Sequence, residues 1–420
     1  MSSQVRLLLL PGSRCLFDEA VRIKVSGLRP RQLVNMAARV TDEKRVVFSS
    51  RAWYKANDDG ELDLNRDISL GGSYVGVEPM GLLWSMTPDK PHKRLQKVRS
   101  LDPHVVTFSV QEEGGSTLAE VHSERSLIGP GVSRKLIEQQ NTRGVLFTPP
   151  GEGPFPAVLD LYTLGGGVSE KRASLLASRG FVVLAVALYR YSDMPENVQE
   201  IHLDCFEEAI DILRKQDKVC QGGVGVISLS KSGDLALSIA SYLPSVKATV
   251  WINGCCANTL LPLYYRGQQL LPPLMYDISK ITPTESGAVN IKQALFSPRA
   301  PQNQATLIPI EKAESQFLFV ASEADLNWDS RGFVSQMVER LQHHGKKNYE
   351  VLSYSGAGHY LEPPYGPYCP SSVHSLVKKP VLWGGEAKCH AAAEVHLWGK
   401  LQEFLRRHLC QEPSNKTSKL

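Results

Sequence analysis

The stretch Gly225-Val226-Ile227-Ser228-Leu229-Ser230-Lys231-Ser232-Gly233 runs from an apolar strand through small residues into the start of a helix. A serine on such a sharp turn stands at the end of a sheet, where its hydroxyl is free to act as a nucleophile. Small residues two positions to either side leave room for the turn, and the usual pattern has Gly at both. Here both are Ser, Ser228 and Ser232, so the motif survives as a steric pattern and not as a letter match. A turn at Ser228 would leave too little strand, and one at Ser232 would fall inside the helix. The register therefore places the nucleophile at Ser230. The competing reading is that Ser230 or Ser232 only caps the helix.

A serine hydroxyl is a weak nucleophile at neutral pH and needs a base to take its proton. In this arrangement the acid and the histidine follow the serine in chain order. The late apolar strand Phe317–Ala321 runs into Ser322-Glu323-Ala324-Asp325, which supplies Asp325, with Glu323 and Asp329 as competitors. Strand Tyr349–Tyr354 is followed by Ser355-Gly356-Ala357-Gly358-His359, a flexible loop that ends in a histidine. His359 is expected to shuttle the proton and Asp325 to fix its tautomer and stabilise its cation. The oxyanion needs two backbone N–H groups. One is expected from Lys231, directly after the nucleophile, and the other from Tyr162, after strand Pro156–Leu161.

These residues need a sheet to hold them, and the chain from Arg143 onward has its grammar. Strand-like runs (Gly144–Thr148, Pro156–Leu161, Phe181–Ala187, Val224–Leu229, Val246–Asn253) alternate with helical ones (Glu170–Ser178, Glu200–Lys215, Gly233–Leu243). Helices Gly332–His343 and Ala391–Arg407 continue the pattern. Alternation of this kind predicts an α/β fold with a mostly parallel sheet covered on both faces, here an α/β-hydrolase domain over residues 143–410. Between Gly254 and Ser315 the pattern lapses at Pro272-Pro273 and Pro283, which reads as an excursion over the site. Residues 1–142 read instead as short strands (Ala20–Ser26, Val46–Tyr54, Leu62–Leu64, Tyr74–Val77, Val105–Val110), a β-sandwich domain. Residues 411–420 read as a flexible tail.

The 420 residues carry Lys+Arg 47 against Asp+Glu 43, a net +4, spread over both halves of the chain. That balance gives no footprint for nucleic acid. No window reaches the roughly 18 apolar residues of a membrane span. The eight cysteines form no CxxC and no secretory signal precedes them, so they are expected to be reduced thiols. Cys255-Cys256 reads as a pair of small buried hydrophobes, and Cys389-His390 with His396 has poor metal spacing. Gly165-Gly166-Gly167 lacks the Lys-Ser/Thr of a nucleotide loop. No metal and no cofactor is expected. The chain ends Ser418-Lys419-Leu420, a tripeptide read by the peroxisomal import receptor.

Longer motifs carry a family resemblance over essentially the whole chain. They include Gly60-Glu61-Leu62-Asp63-Leu64, Glu78-Pro79-Met80-Gly81-Leu82-Leu83-Trp84, Gly358-His359-Tyr360-Leu361-Glu362-Pro363-Pro364-Tyr365 and Trp383-Gly384-Gly385. In these the chain resembles the type I acyl-CoA thioesterases and the related bile acid-CoA:amino acid N-acyltransferases. The resemblance implies an N-terminal β-sandwich, a C-terminal α/β-hydrolase domain and a triad at Ser230, Asp325 and His359. Thioesterases of the family usually have Gly at the positions of Ser228 and Ser232. Ser at the elbow points to hydrolysis of acyl-CoA to a fatty acid and CoA in the peroxisome. The alternatives are transfer of the acyl group to glycine or taurine, and a non-catalytic acyl-CoA-binding protein.

Overall fold

A computed structural model describes residues 4–97, 100–162 and 166–410. Its centre is an eight-stranded sheet built from β1 (Ser133–Glu138), β2 (Arg143–Thr148), β3 (Phe155–Leu161), β4 (Val182–Val186), β5 (Val219–Leu229), β6 (Val246–Ile252), β7 (Gln316–Ser322) and β8 (Tyr349–Tyr354). The order across the sheet is β1-β2-β4-β3-β5-β6-β7-β8. The pairs β1–β2 and β2–β4 are antiparallel, and every later pair is parallel. The domain is an α/β-hydrolase fold. Its sheet begins before Arg143, because Ser133–Glu138 pairs with β2 as the edge strand. Only Ile137 of that strand is buried, so its sequence lacks the apolar run that marks the interior strands.

Helices cover both faces. α1 (Lys171–Ser178) and α5 (Ala387–Leu409) pack on one, with Leu175, Leu176, Leu401 and Phe404 in its core. α2 (Asp204–Arg214), α3 (Ser232–Tyr242) and α4 (Ser330–His343) pack on the other, with Phe206, Leu235 and Met337. Phe206, Ala209, Ile210 and Leu213 are spaced to form one stripe of α2, and all four are buried. Asp204 and Glu207 in the first turn and Arg214 in the last complement the helix dipole. Each large apolar side chain buried this way contributes about 1.5–3 kcal/mol of transfer free energy.

The N-terminal region is a sandwich of a three-stranded sheet, Arg6–Leu10, Arg22–Ser26 and Leu62–Asp63, on a seven-stranded one. Ile23 and Val25 from the small sheet meet Met36, Phe48 and Phe108 from the large one. Tyr74–Val77, expected as a strand, lies in a turn closed by the bridge Ser69–Gly76, and the strand is Gly71–Gly72 instead. The long strands Leu33–Thr41 and Thr117–Ser126 complete the large sheet. Phe17 crosses to the catalytic core, and Asp18 accepts from Arg179 Nε of the α1 C-cap and Trp398 Nε1 of α5 at 2.8 and 2.7 Å.

One expectation about cysteine is overturned. Cys220 and Cys410 form a disulfide, with Cα atoms 5.6 Å apart. They are 190 residues apart in sequence, and α5 packing along β5 brings its end beside the start of that strand. Spacing in the sequence carries no trace of such a pairing. The other six cysteines are free thiols. No helix among the described residues is long and apolar enough to cross a membrane.

Candidate active site

Ser230 stands between the end of β5 and the start of α3, with φ +62°. A non-glycine residue in this left-handed region costs roughly 1–2 kcal/mol, which its surroundings must hold in place. They do so through its N–H to Ile252 O (2.9 Å) and its carbonyl to Gly233 N (2.8 Å). Gly233 is required here for space: a Cβ would lie 2.8 Å from Gly254 Cα and from the indole of Trp251. Ser228 donates to Val250 O at 3.0 Å. Ser232 donates to Leu161 O at 2.7 Å and accepts from Leu229 N at 3.0 Å. The two serines that replace the usual glycines are thus both buried and both bonded to backbone.

His359 Nε2 lies 2.8 Å from Ser230 Oγ, and His359 Nδ1 lies 2.8 Å from Asp325 Oδ2. The imidazole and the carboxylate are fully buried. The sequence therefore identified three residues that the fold brings into one hydrogen-bonded row. Asp325 Oδ1 also accepts from the N–H groups of Asn327 (2.7 Å) and Trp328 (3.1 Å), and Oδ2 from Ser330 Oγ (2.6 Å). These donors satisfy the oxygens of a side chain that is fully buried. The competitors do other work. Glu323 accepts from Ser353 at the surface, and Asp329 caps α4 through Gly332 N.

The histidine loop is held by Asn253, which no motif marks, and by Trp383 of the Trp383-Gly384-Gly385 motif. Asn253, directly after β6, donates to His359 O at 2.7 Å and accepts from Ser322 N at 2.8 Å. Trp383 stacks on the His359 ring at 5.5 Å, and its carbonyl accepts from His359 N at 2.9 Å. The signal for Asn253 was available as a carboxamide at the end of a strand whose last three residues, Val250-Trp251-Ile252, are all apolar, where a buried polar group needs a partner. Ser330, five residues past Asp325, carried no such signal.

Lys231 follows Ser230, and its ammonium is buried against Asp234 at 2.7 and 2.8 Å. Asp234 also accepts from Thr259 N and Oγ1, tying the elbow to the excursion over the site. Tyr162 follows β3 directly. Its hydroxyl donates to Glu362 and accepts from Arg94 at 3.2 Å. Burial pushes that phenol well above its ordinary range, and Glu362 raises it further against the lowering by Arg94. Glu362 itself is opposed by burial, but Lys171 and Arg94 hold it down at about 2.

Two cavities meet at Tyr360. One, about 90 Å³, opens on Ser230 and is walled by Leu260, Ile281, Ile291, Leu295 and Trp328. These come mostly from the irregular region after Gly254, as expected of an excursion over the site. The other, about 300 Å³, lies beside Tyr162 and is lined by Arg94, Lys97, Lys171, Asp160 and Glu362, three cations to two carboxylates. Cys255 and Cys256 are buried, with the Cys255 thiol pushed up by that burial. His390 is spent on Gly358 N and Tyr360 O, and no group of metal-ligating side chains occurs among the described residues. Ser418, Lys419 and Leu420 lie outside the described residues.

Two family models match the chain. "Acyl-CoA thioester hydrolase/BAAT N-terminal region" matches residues 18–139, and "BAAT / Acyl-CoA thioester hydrolase C terminal" matches residues 201–411. Human acyl-coenzyme A thioesterase 1 is 44% identical over 96% of this chain and 96% of its own. Human mitochondrial acyl-coenzyme A thioesterase 2 is 44% identical over 96% of this chain and 84% of its own. Among solved structures, the Pyrococcus horikoshii acylaminoacyl peptidase is similar over 99% of this chain and 63% of that one, with TM-score 0.45 and 12% identity.

Proposed function

Because the chain belongs to the acyl-CoA thioester hydrolase/BAAT family, we propose that it is a peroxisomal acyl-CoA thioesterase working through an acyl-serine intermediate. The observation that carries the reading is the unbroken row from Ser230 Oγ through His359 to Asp325, with 2.8 Å at each link. His359 Nε2 takes the proton of Ser230 as Oγ attacks the thioester carbonyl. The oxyanion is held by the N–H groups of Lys231 and Tyr162. As the C–S bond breaks, His359 returns the proton to the leaving sulfur and CoA departs. Water then attacks the acyl ester with His359 again as base, releasing the acid and restoring Ser230.

The apolar cavity beside Ser230 suits the acyl chain, and the cationic cavity past Tyr360 suits the phosphate-bearing arm of CoA. A second reading follows from the family itself, whose models name both thioester hydrolases and BAAT. In it an amine such as glycine or taurine replaces water in the second half-reaction. The deciding assay follows free CoA, free acid and conjugate separately for a panel of acyl-CoAs, with and without millimolar glycine or taurine. The expected result is stoichiometric CoA and free acid in both conditions. Mostly conjugate would replace hydrolysis by transfer, and no CoA release would mean a binding protein. For the location, a chain lacking Ser418–Leu420 should keep its activity and leave the peroxisome for the cytosol. Its continued import would place the address elsewhere.

A further inference from the structure

We infer that Ser232 is a positioning residue of the oxyanion hole, its hydroxyl fixing the peptide that carries the second donor. The inference rests on the acyl-serine reading above. Ser232 is 1% exposed. A hydroxyl has one proton to give, and two carbonyls compete for it: Leu161 O at 2.7 Å and Leu229 O, of its own turn, at 3.0 Å; the shorter contact, to Leu161 O, takes it. Its lone pair receives Leu229 N at 3.0 Å. The carbonyl of Leu161 and the N–H of Tyr162 belong to the same peptide unit. That unit is planar, so fixing the direction of its C=O fixes the direction of its N–H.

A second group grips the same oxygen. Arg172 Nη2 donates to Leu161 O at 3.0 Å and is itself paired with buried Asp160. The peptide between Leu161 and Tyr162 is therefore held by a hydroxyl from the elbow helix and a guanidinium from α1. The other donor of the hole, Lys231 N–H, precedes Ser232 by one residue. Ser232 thus links the segment bearing the first donor to the peptide bearing the second. A glycine here would leave room for the turn but no link. Ser228 makes a useful contrast: its hydroxyl is just as buried, but it ties β5 to β6 through Val250 O.

Removing an oxyanion donor outright lowers kcat by about 10²–10³. Loosening one should do less, about tenfold. In Ser232→Ala and Ser232→Gly, kcat should fall about tenfold with KM within about twofold. Affinity for an acyl-CoA trifluoromethyl ketone analogue, which adds to the serine to form a tetrahedral adduct, should fall by the same factor as kcat. Binding of a non-hydrolysable thioether analogue should stay unchanged. Ser228→Ala also loses one buried hydrogen bond. It should lower the melting temperature comparably and keep kcat. Ser232→Cys, with similar volume and a weaker donor, covers the case in which the smaller variants do not fold, and its kcat should lie between. Wild-type kcat in a folded Ser232 variant, a change in KM alone, or an unchanged ketone affinity would each overturn the inference. An active Ser230→Ala protein would instead overturn the serine reading, whatever Ser232 does.

Discussion

Ser230→Ala and His359→Ala should each lower thioester cleavage by about 10⁴-fold or more, with acyl-CoA binding largely kept. In the proposed mechanism Ser230 supplies the bond-forming oxygen and His359 both proton transfers, so neither loss is covered by a neighbour. The hydroxyl and imidazole are 2.8 Å apart, and the other face of the ring system is closed by Trp383. Water therefore has little room to act as a substitute base. Asp325→Asn should cost as much or somewhat less, because Asn327 N, Trp328 N and Ser330 Oγ would still hold a side-chain oxygen there. The check is single-turnover release of CoA together with equilibrium binding of a thioether analogue. Ser230→Ala activity within tenfold of wild type would reject the nucleophile.

Arg172→Met should be the most damaging single change to stability, by about 3–5 kcal/mol. The carboxylate of Asp160 and the guanidinium are 2% and 3% exposed, deep between β3 and α1. Met keeps the apolar length of the side chain but strands Asp160 as a buried charge. The double change Arg172→Met with Asp160→Leu should recover much of the loss, since both ions then leave the interior together. Chemical denaturation of the three proteins measures this. Equal stability of single and double variants would mean that Asp160 is neutral or rehydrated once its partner is gone.

The sequence was most legible where chemistry and local geometry coincide. The elbow, the acid after β7 and the histidine after β8 each sit at a strand end, where chain order alone nearly fixes their meeting. Ser228 and Ser232 were legible only by size. Their hydroxyl bonds depend on which carbonyls the neighbouring strands present, Val250 O and Leu161 O, and that is a property of the folded sheet. The edge strand Ser133–Glu138 was hidden because it is largely solvent-facing and lacks a buried apolar run. The Cys220–Cys410 bond was hidden because it joins residues 190 positions apart. Asn253 lay between these cases: its burial was readable, but the loop it restrains was not.

The crossing at Phe17 and Asp18 bears on how the molecule comes apart. Phe17 contributes its ring to the core beneath the catalytic sheet, and Arg125 holds the carbonyls of Phe17 and Glu19 at 2.7 Å. Asp18 closes the same seam from the side of α1 and α5. A gene fragment beginning at the catalytic half would leave an empty aromatic socket and strip the arginine and tryptophan donors of their acceptor. The sandwich is therefore a wedge in the enzyme's core, and calorimetry of the whole chain should record one melting peak where two independently folding modules would give two.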